Sequence, residues 1–399
     1  MTGRAPEQVV IVGASAAGTA VALHLRTLGF PGSVLLVGDE PHLPYDRPPL
    51  SKQLLSGTWA EDRILLASQV ELADQGIEAI LGTRAVDVDC ASRTVTLEHG
   101  RTLSYDALVV ATGVSARRLE GTAGLQGVHY LRTLDDARTL APRLAPGRRI
   151  VVVGAGFIGL EVAATACALG CQVDVIEVLD VPLSAKLGPW VGSRVQRLHE
   201  DHGVRFHTGT NVDELVNDGV HVTGVAIEGG TVIAADDVVV GVGTTPNTQW
   251  LEASGLPVSS DGVMCDVSCR VTAEVYAAGD VAAVLDPATG RPMRTEHRLN
   301  ATEQGHAVAR AIMKLGEPRA GLPFFWTDQY DVKIQMFGTP PPDAEFVVEI
   351  EETDPYRMVG SYRRSDRTEA VVGWNAAKLL MPFRRELLSA VEAGASRAV

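Results

Sequence analysis

The chain has 399 residues, 46% of them apolar and 21% charged, which is room for two or three folded domains. Its formal net charge of −14 excludes non-specific nucleic-acid binding, which needs a basic surface to displace counterions. No signal peptide or membrane span is expected: the N-terminus enters an apolar run without a basic segment, and the longest candidate span, residues 156–173, is broken by Glu161 and Gln172. The five cysteines (Cys90, Cys167, Cys171, Cys265 and Cys269) are an odd, sparse set that suits a reducing, cytoplasmic setting. Cys167 and Cys171 read as small core residues four apart on one helix, not as a redox or metal pair, and no metal-ligand spacing is present.

Residues 9–29, VVIVGASAAGTAVALHLRTLG, begin with a β-branched run and pass through a glycine turn into an apolar helix and a closing glycine. A second apolar strand, VLLVGDE, follows at 34–40. The motif PYDRPPLSK occupies 44–52, and LSYDALVVATG (103–113) reads as a buried strand ending in a turn. Residues 150–170, IVVVGAGFIGLEVAATACALG, repeat the first segment position for position, with Gly154 lying 141 positions after Gly13. They are followed by VDVIE at 173–177 and closed by ADDVVVGVGTTPN at 235–247. EVYAAGDVA (274–282) is another short strand with a glycine turn. From Phe324 the residues alternate apolar and polar, predicting a small antiparallel sheet, and a helix is expected from about Pro382. The fold class is therefore α/β, with two Rossmann-like dinucleotide-binding domains and a small α+β C-terminal domain. The expected boundaries are 1–112 with 244–323, then 113–243, then 324–399.

A lone glycine fingerprint is weak, but two of them, each after a strand and opening a helix, are specific. Glycines let the backbone approach a pyrophosphate, and the helix N-terminus offers free N–H groups and the positive end of its dipole. The first loop is Gly13, Ala14, Ser15, Ala16, Ala17, Gly18, with serine in place of the middle glycine. The second has all three glycines: Gly154, Gly156 and Gly159, with Phe157 and Ile158 between the last two. The strand after the second loop ends in Glu177, whose carboxylate suits two ribose hydroxyls and repels a 2′-phosphate; no arginine follows within eight residues, so NADH is expected over NADPH. Gly243 closes that site. At the first loop Gly38 stands in the matching place, and the acid is displaced to Asp39 or Glu40.

PYDRPPLSK, ATG (Ala111, Thr112, Gly113), YLRTLDDA, AAGDVA, EHRLNATEQG and FFWTDQYD together resemble the single-chain FAD/NADH ferredoxin reductases of bacterial Rieske oxygenases and haem monooxygenases, the putidaredoxin reductase family, across essentially the whole chain. The resemblance implies a held FAD and an exchanging NADH, with hydride passing to flavin N5 and single electrons passing to a two-iron ferredoxin. Besides the first loop, it implies FAD contacts at Asp39, Glu40, Arg47, Lys52, Ala85, Ala111, Thr112, Gly113, Arg132, Asp280, Val281, His297, Arg298 and Trp326. Position 298 departs from the family, where it is commonly apolar or aromatic. Arg298 could touch flavin, stabilise its reduced form, or face a partner.

Lys52 is the family's lysine beside flavin N5 and Glu161 its acidic partner. Trp326 would lie near the flavin edge, as a shield from oxygen or a route for electrons. Disulfide reductases of similar architecture carry Cys-x4-Cys where this chain has PYDRPPLSK, so a thiol relay is not expected. Two other readings remain open: an NADH oxidoreductase for a quinone or a small radical, and a redox sensor similar to apoptosis-inducing factor. Two basic clusters are candidate docking patches for an acidic ferredoxin. One is Arg291, Arg294, Arg298, Arg310, Lys314 and Arg319, against Glu296, Glu303 and Glu317. The other is Arg143, Arg148 and Arg149.

Overall fold

The computed structural model describes residues 6–286, 290–316, 322–365 and 367–395, which divide into two compact units. The first comprises Met1–Arg47, Glu61–Ser115 and Thr244–Ala320. At its centre is a parallel sheet in the order Val275–Ala277, Ala107–Val110, Gln8–Val12, Ser33–Val37, Ile77–Ile80. Its three inner strands are almost wholly β-branched or leucine, as burial on both faces requires. Helices Ala16–Thr27 and Arg298–Ile312 share a core with one face, through Val21, Leu25, Val308 and Ile312. They pack backbone to backbone at Gly305, where a Cβ would lie 2.7 Å from the Ala17 carbonyl oxygen. That approach explains the glycine of EHRLNATEQG. The other face carries the antiparallel meander Ala85–Asp89, Thr94–Leu97, Thr102–Ser104. The run 103–113 is therefore not one strand: its head belongs to the meander, and Ala107–Val110 belongs to the parallel sheet.

The second unit comprises Pro48–Ala60, Ala116–Gly243 and Gly321–Val399. It holds a parallel sheet in the order Arg205–Thr208, Gln172–Glu177, Arg149–Val153, Asp237–Val240, Val128–Tyr130. The repeat is structural as well as sequential. Val12 pairs with Val37 as Val153 pairs with Ile176, so Gly38 and Glu177 occupy equivalent places, each one residue beyond those pairs. Both repeat helices end on a left-handed glycine, Gly29 and Gly170. The second helix stops at Ala168, so Cys171 lies beyond the closing turn and does not share a helix with Cys167.

This unit also contains a five-stranded antiparallel sheet, ordered Phe324–Gln329, Val332–Gly338, Arg367–Trp374, Tyr356–Arg364, Glu345–Thr353. Its covering helix runs Ala377–Ala395, starting earlier than the Pro382 expected for it. Proline costs that helix one backbone donor. Packing overrides the loss: Leu380 is fully buried, and its side chain lies 3.2 Å from where a Cβ on Gly373 would stand, so the helix packs closely on that strand. No helix among the described residues is long and apolar enough to cross a membrane.

Candidate functional site

In the first unit the chain turns at Gly13 with φ of 122°, and its N–H donates to the Val37 carbonyl at 2.7 Å. A Cβ at Gly13 would sit 2.0 Å from the Ala111 oxygen, and one at Gly18 would sit 1.9 Å from the Gly13 oxygen. Both glycines are therefore steric necessities, and they bring Ala111–Gly113 alongside the loop. The middle position is different. At the equivalent Gly156 a Cβ would find its nearest neighbour 4.0 Å away, which is why Ser15 is tolerated in the first loop. Ser15 caps the helix Ala16–Thr27 without a side-chain capping bond, and its hydroxyl instead accepts from Arg47 Nε at 3.3 Å. The free amides of the first helical turn and the Arg47 guanidinium thus converge, an arrangement suited to a pyrophosphate.

Arg47 donates to Glu40 at 2.7 Å and to the Tyr45 hydroxyl at 3.3 Å. Burial opposes its charge, but Tyr45, Glu40 and Asp280 outweigh that and hold its pKa above the ordinary value. Of the two candidate ribose acids, Glu40 is consumed by this network, while Asp39 is exposed and lies 3.6 Å from Arg84. Gly279 approaches the same loop: a Cβ there would lie 2.9 Å from the Ala17 Cβ, and its N–H donates to Gln304 at 2.7 Å. Asp280 and the fully buried Val281 follow it. Ala85 is buried at the head of the meander. His297 caps the helix Arg298–Ile312, accepting from the Leu299 N–H. Arg298 is paired with Thr302, one turn on along its own helix, and with Asp46 of PYDRPPLSK, which no periodicity links to it.

The second unit holds the second cradle. Gly154 turns with φ of 98°; a Cβ there would meet the Gly241 oxygen at 2.5 Å, and one at Gly159 would meet the Gly154 oxygen at 2.2 Å. Glu177 is buried, not an exposed strand end. Its carboxylate accepts from the Ala155 N–H at 2.6 Å and the Leu179 N–H at 3.0 Å, leaving lone pairs for further donors. In the first repeat an acid at position 38 is blocked, since a Cβ on Gly38 would lie 2.8 Å from the Ala14 Cβ. Gly243 has φ of 107° and open space where a Cβ would stand. Phe157 packs on Phe325 at 4.8 Å between ring centroids, and Ile158 is exposed.

Lys52 and Glu161 form an ion pair of 2.9 Å, with side chains only 11% and 7% exposed. Glu161 also accepts from Ser51 at 2.5 Å and from Thr327 at 2.7 Å, and Thr165 donates to the Ser51 carbonyl at 2.8 Å. These bonds bind the segment Pro48–Ala60 to the helix Phe157–Ala168. Ser51, Thr165 and Thr327 were missed by sequence reasoning; the one signal available was the Thr165 hydroxyl in an otherwise apolar helix segment, VAATACA. Along the strand Phe324–Gln329, Phe325 and Thr327 face the helix, so half-buried Trp326 lies on the opposite face and stacks with Phe324 at 6.0 Å. Arg132 precedes a helix whose capping box, Thr133 with Asp136, accounts for the motif YLRTLDDA.

The second basic cluster is spent internally. Arg143 and Arg148 donate to the fully buried Asp237 at 2.8 and 2.5 Å, beside His129 at 2.9 Å, and Arg149 pairs with Asp236 at 2.5 Å. It is a structural charge centre in which each arginine already has an acidic partner. In the first cluster Arg294 pairs with Glu296 and Arg298 with Asp46, while Arg319 and Glu317 lie outside the described residues. Among the described residues no group of three or more histidine, cysteine or acidic side chains could hold a metal ion.

Residues 7–305 match the family model described as pyridine nucleotide-disulphide oxidoreductase, and 324–399 match that of the reductase C-terminal domain. The chain belongs to the pyridine nucleotide-disulphide oxidoreductase family. It is 36% identical to the ferredoxin–NAD(+) reductase component of the p-cumate 2,3-dioxygenase system of Pseudomonas putida, over 92% of this chain and 89% of that one. It is 37% identical to rhodocoxin reductase of Rhodococcus erythropolis, over 83% and 78%. Among solved structures, the covalent putidaredoxin reductase–putidaredoxin complex superposes with a TM-score of 0.91 at 33% identity, covering 96% and 93%. The resemblance to the ferredoxin reductases thus holds in sequence and in fold, and FAD and NAD(H) are the groups such enzymes use. The two glycine cradles fit two dinucleotides. Despite the family's name, all five cysteines are free, and none lies before Cys90.

Proposed function

We propose that this oxidoreductase is an NADH-dependent ferredoxin reductase that feeds electrons to a two-iron ferredoxin, and through it to a haem monooxygenase or a Rieske oxygenase, in the cytoplasm. The observation that carries the reading is the buried Lys52–Glu161 pair in a segment without cysteine. A charged pair there suits direct electron exit from a flavin, where a cysteine pair would serve thiol transfer.

FAD, when bound, supplies the step between a two-electron donor and one-electron acceptors. The chain's residues do the rest. The Gly13 loop, Arg47, Ala111–Gly113, Val281 and Asp280 hold FAD, with Asp39 on its ribose and Ala85, Arg132, His297 and Arg298 lining its site. The Gly154 loop, Glu177 and Gly243 take NADH. On the family's pattern Lys52, held by Glu161, would serve the flavin as its positive side chain, and Trp326 would serve its edge. On this reading, residues 1–112 and 244–323 are the FAD domain, 113–243 the NADH domain and 324–399 the C-terminal domain.

The test is NADH-dependent reduction of a two-iron ferredoxin, compared with quinones and ferricyanide. Fast ferredoxin turnover is expected. Failure with every ferredoxin, alongside fast quinone turnover, would overturn the reading.

A further inference from the structure

A buried polar chain runs from Glu161 into the C-terminal sheet and beyond. Thr327 donates to Glu161 Oε1 at 2.7 Å, and Gln329 Nε2 lies 3.3 Å from Thr327 Oγ1. Gln329 Oε1 lies 2.8 Å from His199 Nε2, and the Tyr330 hydroxyl lies 3.1 Å from His199 Nδ1. Thr327 and His199 are fully buried and Gln329 is 1% exposed.

The direction of every bond follows from the acceptor-only carboxylate at the end. Thr327 must spend its single proton on Glu161, so it accepts from the Gln329 amide nitrogen. The Gln329 oxygen therefore faces His199, which must carry its proton on Nε2. His199 Nδ1 is then an acceptor, and the Tyr330 hydroxyl donates to it. Burial, against the Gln329 hydrogen bond, pushes His199 down to about 4, so the ring stays neutral and keeps this tautomer. Lys52 is the charged group against Glu161; His202 and Tyr330 face His199, and Cys167 neighbours Tyr330.

We propose that Thr327 and Gln329, backed by His199 and Tyr330, are positioning residues: a one-way chain of donors that holds the Glu161 carboxylate in place and aimed at Lys52. The C-terminal sheet thereby sets the geometry of the pair on which the proposed function rests. Replacing Thr327 by valine keeps the β-branched shape of a strand residue and removes one donor.

The test is infrared difference spectroscopy of the FAD-loaded protein at neutral pH, following the carboxylate stretching bands of Glu161, assigned by their loss in Glu161→Gln. In Thr327→Val these bands should shift, because the carboxylate loses a charge-assisted hydrogen bond. Thr327→Ser, which keeps the hydroxyl, should restore them. Gln329→Leu, one link further out, should shift them by less. Unmoved bands in both Thr327→Val and Gln329→Leu would overturn the inference. If the bands move but Glu161→Gln reduces as fast as the parent, the chain of donors stands, and the assignment of Glu161 to the flavin fails instead.

Discussion

Glu177 offers the sharpest test of the nucleotide site. Its two oxygens accept from the Ala155 and Leu179 N–H groups at 2.6 and 3.0 Å, and the side chain is buried. Glutamine has the same shape but only one acceptor oxygen. Whichever way it turns, its NH2 faces a backbone N–H, and the negative charge is lost. Losing a charge-assisted hydrogen bond costs about 1.5–3 kcal/mol, which corresponds to a rise of roughly 10- to 150-fold in the dissociation constant for NADH. NADPH should lose far less, because the carboxylate no longer repels its 2′-phosphate, so discrimination between the two should collapse. Fluorescence titration with each nucleotide and kcat/KM for each would measure this, with thermal melting as the check on folding. Unchanged NADH affinity with an unchanged preference would refute the placement of the ribose at Glu177.

Gly18→Ala forces a Cβ to within 1.9 Å of the Gly13 oxygen, so the helix must shift by more than 1 Å. It should cost about 4 kcal/mol or more and yield protein depleted of FAD, read from the flavin absorbance per chain. Gly156→Ser, by contrast, fills open space and reproduces the Ser15 arrangement, so its melting temperature should stay within a degree or two of the parent. Asp237→Asn leaves the Arg143 and Arg148 guanidiniums, themselves 41% and 34% exposed, without their charged partner. That partial exposure reduces the loss from the range for a fully buried pair to about 2 kcal/mol, measurable by urea unfolding. Burial works to raise the carboxyls of Asp237 and Asp174, but hydrogen bonds from His129, Arg143 and Arg148, and from Arg205 and His207, hold both below the ordinary range. Their stabilisation is therefore complete above about pH 4 and is lost as pH falls through their lower native values; Asp237→Asn should flatten that acid limb of the unfolding curve.

Local pattern carried a great deal. Strand, glycine turn, helix and closing glycine recur at Gly13 and Gly154 because a pyrophosphate cradle is a short-range object, built by neighbouring residues whose spacing is visible in the chain. Glu177 was legible for the same reason, since it ends the strand next to its own loop. Three features became visible only in the tertiary structure. Arg148 and Arg149 resemble a surface patch until Asp236 and Asp237 are brought against them from 87 or more residues away. Pro382 resembles a helix start until Leu380 is seen locked over Gly373. Glu161 was singled out by resemblance, but its partners Ser51 and Thr327 come from 110 and 166 residues away. No periodicity links such positions, because the crossovers of the parallel sheet and the docking of the C-terminal strand bring them together. The sequence alone determined where the two glycine turns form, because each is built by neighbouring residues; tertiary packing decided how the buried acid beside Lys52 is held, because a buried charge needs partners from every element around it.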